Sequence, residues 1–300
     1  MKFLKNVWYG LKEAWNEYGV VTLIVAVLVV IALAATSGCS GGADPQVPSP
    51  TTLRTDLKVG YYASTLEQPR ETRDHVNIFF EAQFDGPQRV IDNINYMQMP
   101  TILSVSVQLF NEKNRLRPDG EQRLREFFKF LAPSGVLRYV TYLYPLDEPD
   151  LLNTPAVEVI EAARISRKVA AEFGLTPKLF VIYGVNFTWQ GSEAFDTIAF
   201  DNYSAGSKIF FNGDYAKLKA VKKPNQKVAL IPGGAGPWEQ DPVPFYNTAN
   251  SDLDVEMVIS FVWGDSTFSA QGYTTGIRSN SRRGDYCRMG KLISGKAGGC

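Results

Sequence analysis

Residues 138–149 read RYVTYLYPLDEP. A β-branched and aromatic run that breaks at Pro145 and then delivers two adjacent carboxylates has the pattern of a strand feeding a loop that carries chemistry. The same signature recurs at 57–62, 76–81, 101–108, 178–183, 197–202, 227–231 and 257–263, making eight strands with 138–144. Most are continuous apolar runs rather than strict alternations, as parallel strands covered on both faces require. Helical stretches lie between them, at 88–97, 120–131, 154–173 and 215–221. The clearest is 154–173: Pro155 stands at its start, Val157, Ile160, Ala163, Ile165 and Val169 recur at helical spacing, and Gly174 stops it. Connections after the first, fifth and seventh strands carry weaker helical signals. This order predicts an α/β chain with a (β/α)8 TIM barrel over 54–300. An open doubly wound sheet is the alternative, but no Gly-rich phosphate fingerprint follows the first strand.

Composition narrows the function. The 300 residues are 45% hydrophobic and 12% aromatic, which is globular. Lys+Arg and Asp+Glu are 31 each, so the chain has no basic surplus, and the expectation is no nucleic-acid partner. A single histidine, His75, leaves little room for a His-based triad, and three cysteines lack zinc-ligand spacing. No metal or cofactor is implied, and His75, ahead of the second strand, is expected to be structural.

Upstream of the barrel, residues 20–35 (VVTLIVAVLVVIALAA) form an apolar run preceded by Lys2, Lys5 and Lys12. This predicts export or anchoring within segment 1–39, with the N-terminus cytoplasmic and the rest translocated. The run ends in Thr36-Ser37-Gly38-Cys39, which resembles a bacterial lipoprotein lipobox with Thr36 where Leu is usual, and it marks Cys39 for lipidation. An uncleaved signal anchor gives the same topology. Residues 40–53, SGGADPQVPSPTTL, then read as a semi-extended linker. The expected location is therefore the membrane, facing the periplasm or cell surface. In an oxidising compartment Cys287 and Cys300 are free to pair, though the sequence only permits it.

Barrel sites lie at the C-terminal ends of the strands. Those positions supply Tyr62, Glu81, Gln108, Tyr144, Asp147, Glu148, Tyr183, Asn186, Asp201, Asn202, Tyr203, Trp238, Trp263 and Asp265. Aromatic faces stack on a pyranose ring while carboxylates and amides bond its hydroxyls, so the set predicts a carbohydrate partner. Each also has a plainer reading: an inward aromatic as packing, Glu148 as a helix-start acid, Asp201-Asn202 as turn residues.

Here the chain resembles the barrel-fold glycoside hydrolases and their uncharacterised relatives, many of which carry Asp-Glu-Pro or Asn-Glu-Pro at the end of strand four. The resemblance extends to Phe200-Asp201-Asn202-Tyr203 and to Ile259-Ser260-Phe261-Val262-Trp263. It implies Glu148 as general acid, with Asp147 raising its pKa by like charge. The sequence departs from the family at strand seven. The largest group of retaining barrels places a nucleophilic Glu there, and this strand runs into Pro232-Gly233-Gly234. Asp201 is then the best second carboxylate, with Asp265 and Glu81 behind it. The readings left open are a hydrolase of a poly- or oligosaccharide, a non-catalytic carbohydrate-binding lipoprotein, and an envelope structural protein on the same barrel.

Overall fold

The computed structural model describes residues 54–62, 68–82, 86–184, 186, 188–203, 213–236, 239–265, 275–297 and 300. The anchor, the linker and Cys39 lie outside them. Eight parallel strands are present among the described residues: β1 (Lys58–Tyr61), β2 (Phe79–Glu81), β3 (Thr101–Ser104), β4 (Val140–Tyr144), β5 (Lys178–Tyr183), β6 (Thr197–Phe200), β7 (Lys227–Leu230) and β8 (Val255–Ser260). They pair in the order β1-β8-β7-β6-β5-β4-β3-β2, a nearly closed (β/α)8 barrel. All eight expected strands occur, mostly shorter than the apolar runs. The run at 101–108 is the clearest case: beyond Ser104 the chain turns into a helical segment, Ser106–Leu109, and both pieces bury apolar side chains. Periodicity does not separate two buried elements in tandem.

The helices that flank the site are α1 (Gln68–Thr72), α2 (Pro87–Met97), α3 (Ser106–Leu109), α4 (Gly120–Leu131), α5 (Ala156–Glu172), α6 (Tyr215–Val221), α7 (Pro242–Ser251) and α8 (Arg283–Ser294). Helix α5 stops where the sequence says it must: Gly174 takes φ +71°, and the Leu175 amide returns to the Ala170 carbonyl at 3.0 Å. Cys287 on α8 is bonded to Cys300 across a Cα separation of 5.8 Å. His75 is structural, as expected. Its Nε2 faces the Glu71 carbonyl at 3.0 Å, so it bears the proton, and Nδ1 then accepts from the Tyr61 hydroxyl at 3.1 Å.

Closure depends on the seam between β1 and β2, where one side chain substitutes for a ladder. Asn77 accepts from the Val59 amide at 2.7 Å and donates to the Leu57 carbonyl at 2.9 Å. Its own amide, with that of Ile78, returns to the Val59 carbonyl at 3.1 and 3.3 Å. Gly60 permits the approach, since a Cβ there would lie 2.7 Å from the Ile78 carbonyl oxygen.

The interior is filled in tiers. At the N-terminal ends, a register shift between Val228 and Ala229 leaves Glu256 as the extra residue of a bulge. The bulge brings Glu256 in toward Lys178, 2.7 Å away, and the Thr197 hydroxyl, while Lys58 and Lys178 sit over the Tyr142 ring. Above this, Phe80, Tyr144 and Phe180 pack ring against ring at 5.1–6.4 Å. That plug is the floor of the strand-end site.

Replacing Asn77 with alanine leaves the Val59 amide and Leu57 carbonyl without partners. Thermal unfolding followed by circular dichroism is expected to show a loss of roughly 2–4 kcal/mol. A melting temperature within a degree of wild type would mean that the seam closes by other means.

Candidate active site

The end of β4 is held over β5 by one further pairing. Asp147 bridges to Ile182, and the Glu148 amide donates to the Ile182 carbonyl at 3.0 Å. Glu148 then takes φ +38°, a left-handed conformation costly for a residue with a Cβ, and its carbonyl accepts from Leu152 at 3.0 Å. The sharp turn leaves Asp147 and Glu148 half-buried at the mouth of the barrel.

Two phenols donate to Asp147. The Tyr144 hydroxyl makes a short hydrogen bond to Oδ1, and Tyr62, whose ring lies 4.6 Å from Phe80, donates as well. On the β6 side the Asp201 amide donates to the Tyr183 carbonyl at 2.9 Å, which aims its side chain inward, where it is only 8% exposed. Tyr203 donates to Asp201 Oδ2 at 2.8 Å. The Glu148 and Asp201 carboxyls are hydrogen-bonded to each other. One chain of hydrogen bonds therefore runs from Tyr203 through Asp201 to Glu148.

Three carboxyls within one buried cluster repel one another and lose solvation, so each favours its neutral form. Burial raises Asp147 above the ordinary range, opposed by its two phenols. Burial and the neighbouring Asp147 push Glu148 up to about 7. Burial and both acidic neighbours hold Asp201 well above the ordinary range. The Glu148–Asp201 pair titrates as a unit, each member held above the ordinary carboxylate range.

Strand seven presents no carboxylate at the site, and its place is filled. The Tyr203 ring lies over Gly233 so closely that a Cβ there would be 2.5 Å from Cδ1. The other face of that ring stacks on Phe261, 4.9 Å away at 12°. At Gly234 a Cβ would strike Ile277 at 2.0 Å. These glycines make room for protein side chains.

Of the residues expected at the strand ends, Tyr62, Tyr144, Asp147, Glu148, Asp201 and Tyr203 come together. The others are engaged elsewhere. Glu81, next to the inward Phe80, faces outward from β2 toward α2 and accepts from Asn93 at 2.9 Å. Gln108 lies in α3. Tyr183 donates to the Gln190 carbonyl at 2.9 Å, and Asn186 to that of Asp150 at 3.2 Å. Asn202 donates to Asp214 at 2.9 Å. Trp263 packs on Tyr61 and His75 and donates to Glu71 at 2.6 Å. Asp265 accepts from the Gly276 amide and the Ser279 hydroxyl. Trp238 lies outside the described residues. The sequence reading did not count Phe261 among the site residues, although it shares the inward parity of Ile259 and stands in the Ile259–Trp263 segment. Among the described residues, no group of three or more His, Cys, Asp and Glu side chains is arranged to hold a metal ion.

Fold and site together define a (β/α)8 barrel with an acidic strand-end cluster, and the solved structures it resembles in fold include glycoside hydrolase barrels. The chain is similar to a GH2 β-galacturonidase from Eisenbergiella tayi bound to galacturonate, at TM-score 0.55 and 10% identity over 83% of this chain and 52% of that one. It thus spans about half the length of that enzyme. It is also similar to an active-site mutant of a Rhizomucor miehei β-1,3-glucanosyltransferase in complex with laminaritriose, at TM-score 0.51 and 12% identity over 71% of this chain and 89% of that one. At such identities the likeness is one of fold. No protein-family model and no curated protein matches the sequence.

The raised carboxyls make folding pH-dependent. Glu148 has an ordinary value of 4.5 and a folded value of about 7, so between the two the folded chain holds a proton that the unfolded chain has released. The stabilisation is complete below the lower value and is lost as pH rises through the higher one, at up to about 1.4 kcal/mol per pH unit. The melting temperature is therefore expected to fall between about pH 5 and pH 7.5, and to fall less in Glu148→Gln. Equal slopes in the two proteins would show that Glu148 titrates normally.

Proposed function

We propose that this protein is a glycoside hydrolase acting on a poly- or oligosaccharide outside the cytoplasm, with Glu148 as general acid and Asp201 as proton acceptor. The observation that carries the reading is the hydrogen bond between these two carboxyls at the barrel mouth, in surroundings that bring Glu148 to about 7. A catalytic acid works best when its pKa lies near the working pH. With one proton on the pair, Glu148 protonates the glycosidic oxygen as it leaves, and Asp201 takes the proton released on the attacking side. Retaining and inverting enzymes hold their two carboxyls ~5–5.5 Å and ~6.5–9.5 Å apart, with the sugar between them. Substrate entry therefore parts the pair, and the sugar's own hydroxyls replace the bond it breaks.

Location enters the proposal from the sequence. The apolar segment 20–35, its flanking lysines and the lipobox-like Thr36–Cys39 support a membrane tether. The Cys287–Cys300 bond supports an oxidising compartment. A second reading, a carbohydrate-binding protein without catalysis, is favoured by the missing strand-seven carboxylate and by the Tyr203 ring in its place.

The test is reducing-end release from a polysaccharide panel by the detergent-solubilised full chain. Glu148 must hold its proton to act as acid, so activity should fall as pH climbs through about 7, where it gives that proton up. Glu148→Gln should lose about 100-fold or more. Thermal stabilisation by a glycan in both proteins, without product in either, would instead establish the binding reading.

A further inference from the structure

Double displacement at a sugar carbon needs an acid and a nucleophile set apart on the two sides of the bond being broken. Strand seven brings no carboxylate to the site, and the Tyr203 ring lies over Gly233 in its place. Tyr203 lies one carboxyl further along the same chain of hydrogen bonds, its hydroxyl 2.8 Å from Asp201 Oδ2. Its ring is held between Phe261 and Gly233, which fixes the direction of the hydroxyl, and the residue is only half-buried at the mouth.

We infer that Tyr203 is the nucleophile of this site, with Asp201 as the base that takes its proton and Glu148 as the acid on the leaving group. The inference rests on the glycoside hydrolase reading. Phenols serve as nucleophiles in some glycosidases when a carboxylate beside them accepts the proton. Burial and the adjacent carboxyls hold the Tyr203 phenol protonated, so attack and proton loss must coincide.

The steps balance. Glu148 gives its proton to the glycosidic oxygen as the C–O bond breaks. Tyr203 Oη bonds to the anomeric carbon and its proton passes to Asp201. One sugar leaves as an alcohol, the other stays as a tyrosyl glycoside, and the pair still holds one proton, now on Asp201. In the second half, water attacks the anomeric carbon and gives its proton to Glu148, while Tyr203 departs with the proton from Asp201. The two proton positions of the pair are thus its two working states. Two inversions at one carbon leave the anomeric configuration unchanged.

The probe is a panel of dinitrophenyl 2-deoxy-2-fluoroglycosides, whose electron-poor ring carbon slows the second half and traps the first. The full chain is incubated with each and digested for peptide mass mapping, beside turnover of the matching dinitrophenyl glycosides. The expected result is an adduct on Tyr203, product of retained configuration by NMR, and turnover reduced about 100-fold or more in Tyr203→Phe. That variant keeps the ring, its stack and its packing on Gly233, and the adduct is read on the wild type in any case. Inverted product, an adduct on a carboxylate, or wild-type turnover by Tyr203→Phe would overturn Tyr203 and leave the hydrolase reading standing. No turnover of any glycoside would overturn both.

Discussion

The site exists because the barrel closes, and it closes on one asparagine. Eight parallel strands bury their apolar faces only as a ring, and between β1 and β2 the ladder is replaced by Asn77 bonding the backbone on both sides of Val59. Closure carries Tyr62 from β1 and Phe261 from β8 round to face Asp147, Glu148, Asp201 and Tyr203 from β4 and β6. Opened at that seam, the sheet would carry β1 away from β2, and Asp147 would lose Tyr62, one of its two phenols.

The charge at the two ends of the barrel is handled in opposite ways. At the N-terminal ends Glu256 is compensated by Lys178, with Lys58 near by, so the bulged carboxylate is paired. At the C-terminal ends three carboxyls share a cluster whose donors include phenols and one another. A buried ionised group without an opposite charge is strongly disfavoured, and the cheaper response is to keep protons. The lower end therefore favours stability, while the upper end holds protons at the mouth of the barrel. Such a division is common between the faces of this fold, whose chemistry resides at the C-terminal side.

Much of the fold was legible. Glycine and proline punctuation and the apolar runs located all eight strands, because burial on both faces of a parallel sheet leaves a plain signal, and with them α2, α4, α5 and α6, but not α7 or α8. The site was legible in part. Asp147, Glu148, Asp201 and Tyr203 stood out as polar groups just past a strand. Glu81 and Tyr183 looked equivalent yet point the other way, because successive strand side chains face opposite sides and a one-residue shift in the strand end exchanges them. Trp263 shares its parity with Phe261, but the strand has ended at Ser260, and the chain beyond it turns the indole out toward His75.

Sequence by itself determined the order of elements, the neutrality of the whole chain, the apolar N-terminal run and the kinds of side chain offered at the strand ends, since these follow from local pattern and composition. Tertiary structure alone decided which of those side chains meet. The Glu148–Asp201 hydrogen bond, the two phenols on Asp147 and the Tyr203 ring over Gly233 join residues from separate strands. Their pKa shifts arise from burial and from charges brought near by the fold, and neither exists until the barrel has closed.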